Sequence, residues 1–267
     1  MQVKPFLKWP GGKRWLVQKY SDIFPKKFCR YFEPFLGSGA VFFHLTPKSA
    51  VLSDINAELI ETYKAIQKDW NRVFYFLQIH QKKHSKNYYY AMRRKKISDP
   101  FEKAARFIYL NRTCWNGLYR VNKRGEFNVP IGTKDKVIRE DDNFHLIAEI
   151  LKNAELLIED FEKVIDKAQK NDLVFVDPPY TVHHNNNSFR KYNEKLFSWL
   201  DQKRLVEALK RAIKRGVKII GTNAYHESII ELYYRDFEII TVNRTSNISA
   251  KKESRGKFGE IIFYANL

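Results

Sequence analysis

Short apolar runs closed by glycine, proline or an acid alternate along this chain with longer segments whose apolar positions recur every three or four residues. "KFCRYFEPFLGSGAVFFHL" passes from one apolar run into glycines and on into a second, which predicts strand, tight turn and helix. "SAVLSDIN" predicts a second strand over residues 50–52 that ends at an acid, Asp54, and helical periodicity follows over 57–81. Between Gln81 and Arg106 the chain is thick with lysine, arginine and tyrosine and poor in β-branched residues, a pattern of helices and loops rather than sheet. "LYRVNKRGEFNVP", residues 118–130, places turn residues between aliphatic and aromatic flanks and predicts a β-hairpin with Arg120, Lys123 and Arg124 near its tip. From Phe144 the alternation resumes: a helix to Asn153, the strand "AELLIED", a helix near 164–169, the strand "DLVFVDPPY", a helix over 201–215, the strand "GVKIIGTN", a helix near 225–234, and the strands "FEIITVN" and "GEIIFYAN".

Repeated strand–helix alternation with short connections predicts an open α/β sheet. The basic, mostly helical stretch interrupts it, so the sheet domain is expected in two parts, residues 1–60 and 144–267, with an inserted domain at 61–143. No internal repeat or low-complexity linker separates the insert from the sheet.

Composition changes the picture in one respect. Forty-eight Lys plus Arg against thirty Asp plus Glu give a formal charge of +18, which favours a polyanionic partner such as nucleic acid over an acidic membrane surface. No apolar run approaches eighteen residues and the first thirteen lack the hydrophobic segment of a secretory signal, so the chain is expected in the cytoplasm, off the membrane. Cys29 and Cys114 match no disulfide framework or zinc spacing, and the adjacent His183 and His184 have no acid or cysteine at ligand spacing, so no metal is expected.

Two stretches carry candidate chemistry. "DPPY" follows the run "LVFV", and Pro178 and Pro179 stop the strand because each fixes its backbone and lacks a ladder donor. The result is a rigid turn at a strand's C-terminal end, presenting Asp177 on one side and Tyr180 on the other. "FLGSG" has the layout of a nucleotide-handling turn, with Gly37 and Gly39 free to adopt positive φ, although the residues alone equally suit an ordinary turn. Asp54, at the end of the next strand, is placed to receive a ribose hydroxyl. Ligands of open α/β sheets bind outside the C-terminal ends of the strands, where all three features fall.

With these segments in this order, the chain resembles the Dam-like (D12 class) DNA adenine-N6 methyltransferases over nearly its whole length. "FLKWPGGKRWL" resembles the family's N-terminal cofactor motif and "YFEPFLGSGAVFF" its glycine-rich S-adenosylmethionine loop. "SDIN" matches the acidic strand end, "NRTCWNGLYRVNKRGEFNVP" the target-recognition segment, and "FVDPPY" the catalytic motif. The tail "NRTSNISAKKESRGKFGEIIFY" also follows the family's pattern. The resemblance implies a Rossmann-like methyltransferase sheet with an inserted recognition domain, S-adenosylmethionine as cofactor, and methyl transfer to N6 of an adenine flipped out of double-stranded DNA.

It also implies roles. Asp177, Pro178, Pro179 and Tyr180 form the catalytic turn. Trp9, Lys13, Phe35, Leu36, Gly37, Ser38, Gly39, Asp54 and Ile55 surround the cofactor, and Asp160 and Phe161 hold its adenine. Lys8, Asn116, Arg120, Arg124, Asn128, Pro130, Ser188 and Tyr192 face the DNA. The residues agree with parts of this. A carboxylate and a carbonyl accepting N–H bonds from an exocyclic amine favour a pyramidal, nucleophilic nitrogen. Arginine bridges guanine O6 and N7 in a major groove. Lys82, Lys83, Lys86 and residues 93–96 suit phosphate contacts, which hold without reading. The recognition pattern resembles members that recognise GATC, while "TCW" at 113–115 and "HHNNN" at 183–187 depart from the usual family residues. Members of the family serve bacteria, archaea and phages, in some cases beside a separately acting restriction endonuclease. Two alternatives stay open on the residues: an amine methyltransferase acting on RNA or protein, and a catalytically silent DNA-binding module.

Overall fold

Four residues in a row, "LVFV", are fully buried in strand β4 (Leu173–Val176), the signature of a parallel strand covered on both faces. β1 (Tyr31–Glu33) and β2 (Ala50–Ser53) are likewise buried throughout, whereas β3 (Ala154–Leu157) alternates buried and solvent-facing positions. The computed structural model describes residues 3–122, 125–181, 197–245 and 257–267. Among them β5 (Lys218–Ala224), β6 (Glu238–Thr245) and β7 (Lys257–Ala265) complete a seven-stranded mixed sheet of order β3-β2-β1-β4-β5-β7-β6.

β1 pairs in parallel with β2 and with β4, and β4 in parallel with β5. β7 runs antiparallel to both β5 and β6. Strand order therefore reverses between β1 and β4, the kind of point at which open α/β sheets bind ligands. Chain order alone did not place the last strand: β7 inserts between β5 and β6.

The described helices are α1 (Arg14–Lys19), α2 (Ala40–Leu45), α3 (Ala57–Lys83), α4 (Lys86–Arg94), α5 (Pro100–Thr113), α6 (Phe144–Leu151), α7 (Phe161–Asp166), α8 (Trp199–Lys214) and α9 (Glu227–Tyr233). Their starts follow from local chemistry. Asp99 caps α5, accepting from the N–H groups of Phe101 and Glu102, with Pro100 in the first turn. Ser198 and Asp201 form a reciprocal capping box on α8, whose buried face repeats as Gln202, Leu205, Val206, Leu209 and Ala212. The helical stretch predicted over 57–81 is interrupted: Asp69 is non-helical (φ −159°, ψ 86°), and its carboxylate accepts from Arg72 N–H to restart the helix.

The chain divides into two compact units. One comprises Met1–Ser21, Leu36–Lys48 and Asp54–Ile158, the other Asp22–Phe35, Ser49–Ser53 and Glu159–Leu267. The first is cored by the apolar faces of α3 and α5, including Leu59, Ile66, Leu77, Ala105 and Ile108. It also encloses the ion pair of Arg112 and Asp142, 3 % and 2 % exposed at their side chains, which the guanidinium extends by donating to the Phe6 carbonyl. The second unit holds β1, β2 and β4–β7. At 118–130 the described residues carry an antiparallel bridge, Val121 with Phe127, with Asn128 N–H donating to Arg120 O on one side of it and Asn122 N–H to Glu126 O on the other.

Candidate active site

The glycine turn belongs to the first unit and is built around Gly37 and Gly39, at φ 48° and 64°. Gly39 donates its N–H to Leu36 O (2.8 Å) and begins α2. Gly37 N–H donates to Asp54 Oδ2 (3.1 Å) and Asn56 N–H to Asp54 Oδ1 (3.0 Å), so the acid directly after β2 is tied to the turn directly after β1. Burial pushes the Asp54 carboxyl above the usual carboxylate range, against the opposing pull of the N–H groups of Asn56, Gly37 and Ile55. Tyr63 of α3 donates to Gly37 O (3.1 Å).

Trp9 seals the turn from the other side: a β-carbon at Gly37 would lie 2.7 Å from its Cδ1. The indole stacks on Tyr119 at 5.3 Å between centroids, and Tyr119 donates to Glu58 on α3 (3.0 Å). Leu36 and Ser38 are buried, whereas Ile55 is 64 % exposed, an uncovered aliphatic surface beside Asp54. Lys13 is 3 % exposed and its ammonium donates to Gly11 O (2.7 Å) within its own loop.

In the second unit the acid–proline–proline–tyrosine turn leaves β4 beside β1. Register pairs Val176 with Gly221, which brings Thr222 of β5 alongside Asp177, and Thr222 Oγ1 donates to Asp177 Oδ1 (2.8 Å). Tyr180 donates its phenol to Glu260 Oε2 on β7 (2.9 Å). Burial, then the charges of Asp177 and Glu260, push that phenol far above the usual tyrosine range, so it stays a protonated donor at neutral pH. The Pro179 carbonyl accepts from Gln202 Nε2 of α8 (3.4 Å). The Pro178 carbonyl accepts nothing among the described residues.

Phe35, Phe161 and Phe197 form an aromatic cluster in this unit. Phe161 stacks on Phe35 at 5.4 Å, contacts Phe197 at 5.5 Å, and lies beneath the Arg204 guanidinium at 4.9 Å. Asp160 caps α7 through Oδ1, which also accepts from Arg204, leaving Oδ2 with no hydrogen bond among the described residues.

The recognition-like segment lies in the first unit. Asn111 clasps Lys8 on both sides, accepting from its N–H (2.9 Å) and donating to its carbonyl (2.8 Å). Trp115 N–H donates to Pro130 O (2.9 Å). Trp115, Asn116, Arg120 and Pro130 are exposed, and Asn116 sits at φ 55°. Arg120 Nε donates to Asn128 Oδ1 (2.9 Å) across the bridge. Arg124, Ser188, Tyr192 and the "HHNNN" stretch lie outside the described residues.

The basic cluster is less uniform than its sequence. Arg93 donates to Val129 O (3.2 Å) and Lys95 pairs with Glu102 (2.8 Å), while Lys82, Lys83, Lys86, Arg94 and Lys96 are exposed. Sequence reasoning did not single out Tyr63, Tyr119, Gln202, Thr222 or Glu260. Polar residues inside apolar strands, as in "IIGTNA" and "GEIIF", were the available signal. Among the described residues no group of three or more His, Cys, Asp or Glu is placed to hold a metal, and no helix is long and apolar enough to cross a membrane.

A seven-stranded mixed sheet whose β4 ends in an acid and a proline-locked carbonyl is an α/β framework consistent with a methyltransferase. The chain belongs to the D12 class N6 adenine-specific DNA methyltransferases, whose family model matches residues 9–248. It is 38 % identical to the type II methyltransferase M1.LlaDCHI of Lactococcus lactis subsp. cremoris, over 98 % of this chain and 95 % of that one. It is 36 % identical to the type II methyltransferase M.MjaIII of Methanocaldococcus jannaschii, covering 96 % of each. It is 32 % identical to the DNA adenine methylase of Haemophilus influenzae, over 98 % and 93 %.

Proposed function

We propose that this enzyme transfers the methyl group of S-adenosylmethionine to N6 of an adenine flipped out of double-stranded DNA, within a specific site of which GATC is the first candidate. The observation that carries the reading is the state of the catalytic turn. Thr222 orients one Asp177 oxygen, Gln202 occupies the Pro179 carbonyl, and the Pro178 carbonyl is left without a partner among the described residues.

The donor set fits the cofactor. Asp54 accepts from Gly37 at one oxygen and from Asn56 at the other, with Ile55 N–H also drawing on it, and a carboxylate has capacity for about four, so it retains an acceptor for a ribose hydroxyl. Ile55 supplies exposed aliphatic surface beside it, and Trp9, Lys13, Phe35, Leu36, Gly37, Ser38 and Gly39 are assigned to the same ligand. Asp160 and Phe161 are assigned to its adenine. S-adenosylmethionine would supply an electrophilic methyl on a sulfonium: as the nitrogen–carbon bond forms the carbon–sulfur bond breaks, S-adenosylhomocysteine leaves and one amine proton is released.

The chain's own residues do the rest. The target nitrogen is a poor nucleophile because its lone pair is delocalised into the purine. Asp177 and the Pro178 carbonyl each accept one of its N–H bonds, favour a pyramidal nitrogen, and stabilise the positive charge that develops there. The adenine must leave the stack to reach them, and Tyr180 is assigned to stack on it. Arg120, Arg124, Asn116, Asn128, Pro130 and Lys8 are assigned to the duplex, with Ser188 and Tyr192 near the flipped base. The names of the bacterial and archaeal type II relatives make a separately acting restriction endonuclease a natural companion.

Tritiated-methyl transfer to duplex DNA, RNA and protein in parallel tests the substrate class. Single-molecule sequencing of DNA from cells expressing the protein reports the base and its surrounding motif. Label appearing in RNA or protein and none in DNA would refute the proposal.

A further inference from the structure

Four residues of β5, Gly221–Ala224, sit where the catalytic turn is held from behind, and their side chains alternate between the two faces of the sheet. Thr222, fully buried, donates to Asp177 Oδ1 (2.8 Å). Asn223, also fully buried, donates to Gln202 Oε1 (3.1 Å) while its own Oδ1 accepts from Ala224 N–H (2.9 Å). Gln202, itself 0 % exposed, passes the connection on to the Pro179 carbonyl. Ala224 pairs in register with Glu260, 5 % exposed, which accepts the Tyr180 phenol (2.9 Å). Three positions of the turn are thus gripped by three buried polar side chains on three different elements.

Buried polar groups are costly unless satisfied, and an apolar strand would pack here without them. Structural need alone does not explain why each grip ends on the catalytic turn. We propose that Thr222, Gln202 and Glu260 are positioning residues for methyl transfer: Thr222 fixes the rotamer of the Asp177 carboxylate, Gln202 fixes the Pro179 peptide and so the direction of the preceding carbonyl, and Glu260 fixes the plane of the Tyr180 ring. This rests on the function proposed above.

Thr222 gives the sharpest handle, because valine has its shape and lacks its hydroxyl. Asp177 then loses one of the contacts that hold its rotamer. The full-length protein is compared as wild type, Thr222→Val, Thr222→Ser and Glu260→Gln in single-turnover methylation of duplex DNA, with S-adenosylmethionine affinity by calorimetry and melting temperature alongside. Outer partners of catalytic groups in metal sites typically contribute ~10–100-fold, and a loss of that size in the single-turnover rate is expected for T222V. Cofactor affinity and the KM for DNA should stay within about twofold, a split that a merely structural role would not produce. T222S restores the hydroxyl and should recover the rate to within about threefold of wild type. E260Q keeps an oxygen that accepts the phenol and should do the same.

A folded T222V with the wild-type rate overturns the proposal, as does T222S as slow as T222V. Should T222V not fold, a T222S or E260Q that folds yet loses tenfold or more overturns it, and retained rates in both support it. Wild-type protein that methylates no adenine in any duplex instead overturns the function on which it rests.

Discussion

Gly37→Ala is the substitution whose cost can be worked most directly from this structure. The residue sits at φ 48°, a left-handed conformation that costs an L-amino acid roughly 1–2 kcal/mol. The new methyl would lie 2.7 Å from Trp9 Cδ1, so the indole must move away from a position where it stacks on Tyr119 at 5.3 Å. Losing such a ring pair removes about 0.5–1.5 kcal/mol more. The sum, about 1.5–3.5 kcal/mol, corresponds to a fall in melting temperature of roughly 3–14 °C at about 2–4 °C per kcal/mol. Gly125→Ala is the internal control. It has a similar φ, 77°, but no atom of the described residues within 4 Å of the added carbon, so the conformational term dominates and the fall should be a few degrees. The two variants differ for the ligand as well. Gly37→Ala displaces Trp9 beside the turn assigned to S-adenosylmethionine, and at 1.4 kcal/mol per decade a comparable loss weakens binding by at least about tenfold. Gly125→Ala should leave that affinity unchanged. Calorimetric dissociation constants and melting curves of both variants decide the matter. Equal melting temperatures, with the Gly37→Ala constant within twofold of wild type, would show that neither the Trp9 contact nor the turn matters as reasoned here.

Four further outcomes are expected. Asp177→Ala removes a charge-stabilising acceptor and should lower kcat by at least ~100-fold with cofactor affinity little changed; near-normal turnover would remove Asp177 from the catalytic role. Arg124→Ala should cost preference for the cognate site by roughly tenfold, since a bidentate base contact is worth about 1–3 kcal/mol, and equal weakening on every duplex would contradict base reading. Lys96→Ala, at an exposed lysine, should weaken all duplexes alike and reduce the salt slope by about one unit, whereas Lys95 is already paired with Glu102. His80 is buried, bonded to Tyr88 and stacked on Tyr109, and burial lowers its pKa from 6.5 to about 4. The unfolded chain therefore binds the extra proton first, so stability is flat above pH 6.5 and falls between 6.5 and 4, by up to about 3 kcal/mol. Relative to wild type, His80→Phe should gain about that much between pH 7 and pH 4; an unchanged difference in denaturant unfolding would refute it.

Much of the fold was legible because its signals are local. A run of four apolar residues ended by two prolines allows only a strand that stops, and β4 stops at Val176. Gly37 and Gly39 left a turn free to take positive φ, and both do. The break in α3 at Asp69 was hidden because its apolar period runs through it and only the capping bond to Arg72 reveals the restart. Lysines in one basic run look alike in sequence, yet Lys95 and Lys96 differ once Glu102 is beside the first.

By itself, then, the sequence determined the elements, the polyanionic preference carried by +18 charges, and the order of motifs that marks the family. These depend on neighbours a few residues apart, or on totals, and need no knowledge of what the chain folds against. Tertiary structure alone decided which side chains meet the acid–proline–proline–tyrosine turn. Thr222 meets Asp177 across 45 residues, and Glu260 meets Tyr180 across 80. Those pairings exist because β5 lies parallel to β4 and β7 enters antiparallel between β5 and β6. Strand order is set by the burial of whole faces rather than by any local preference, and a one-residue slip in register would turn Thr222 to the opposite face of the sheet, away from Asp177.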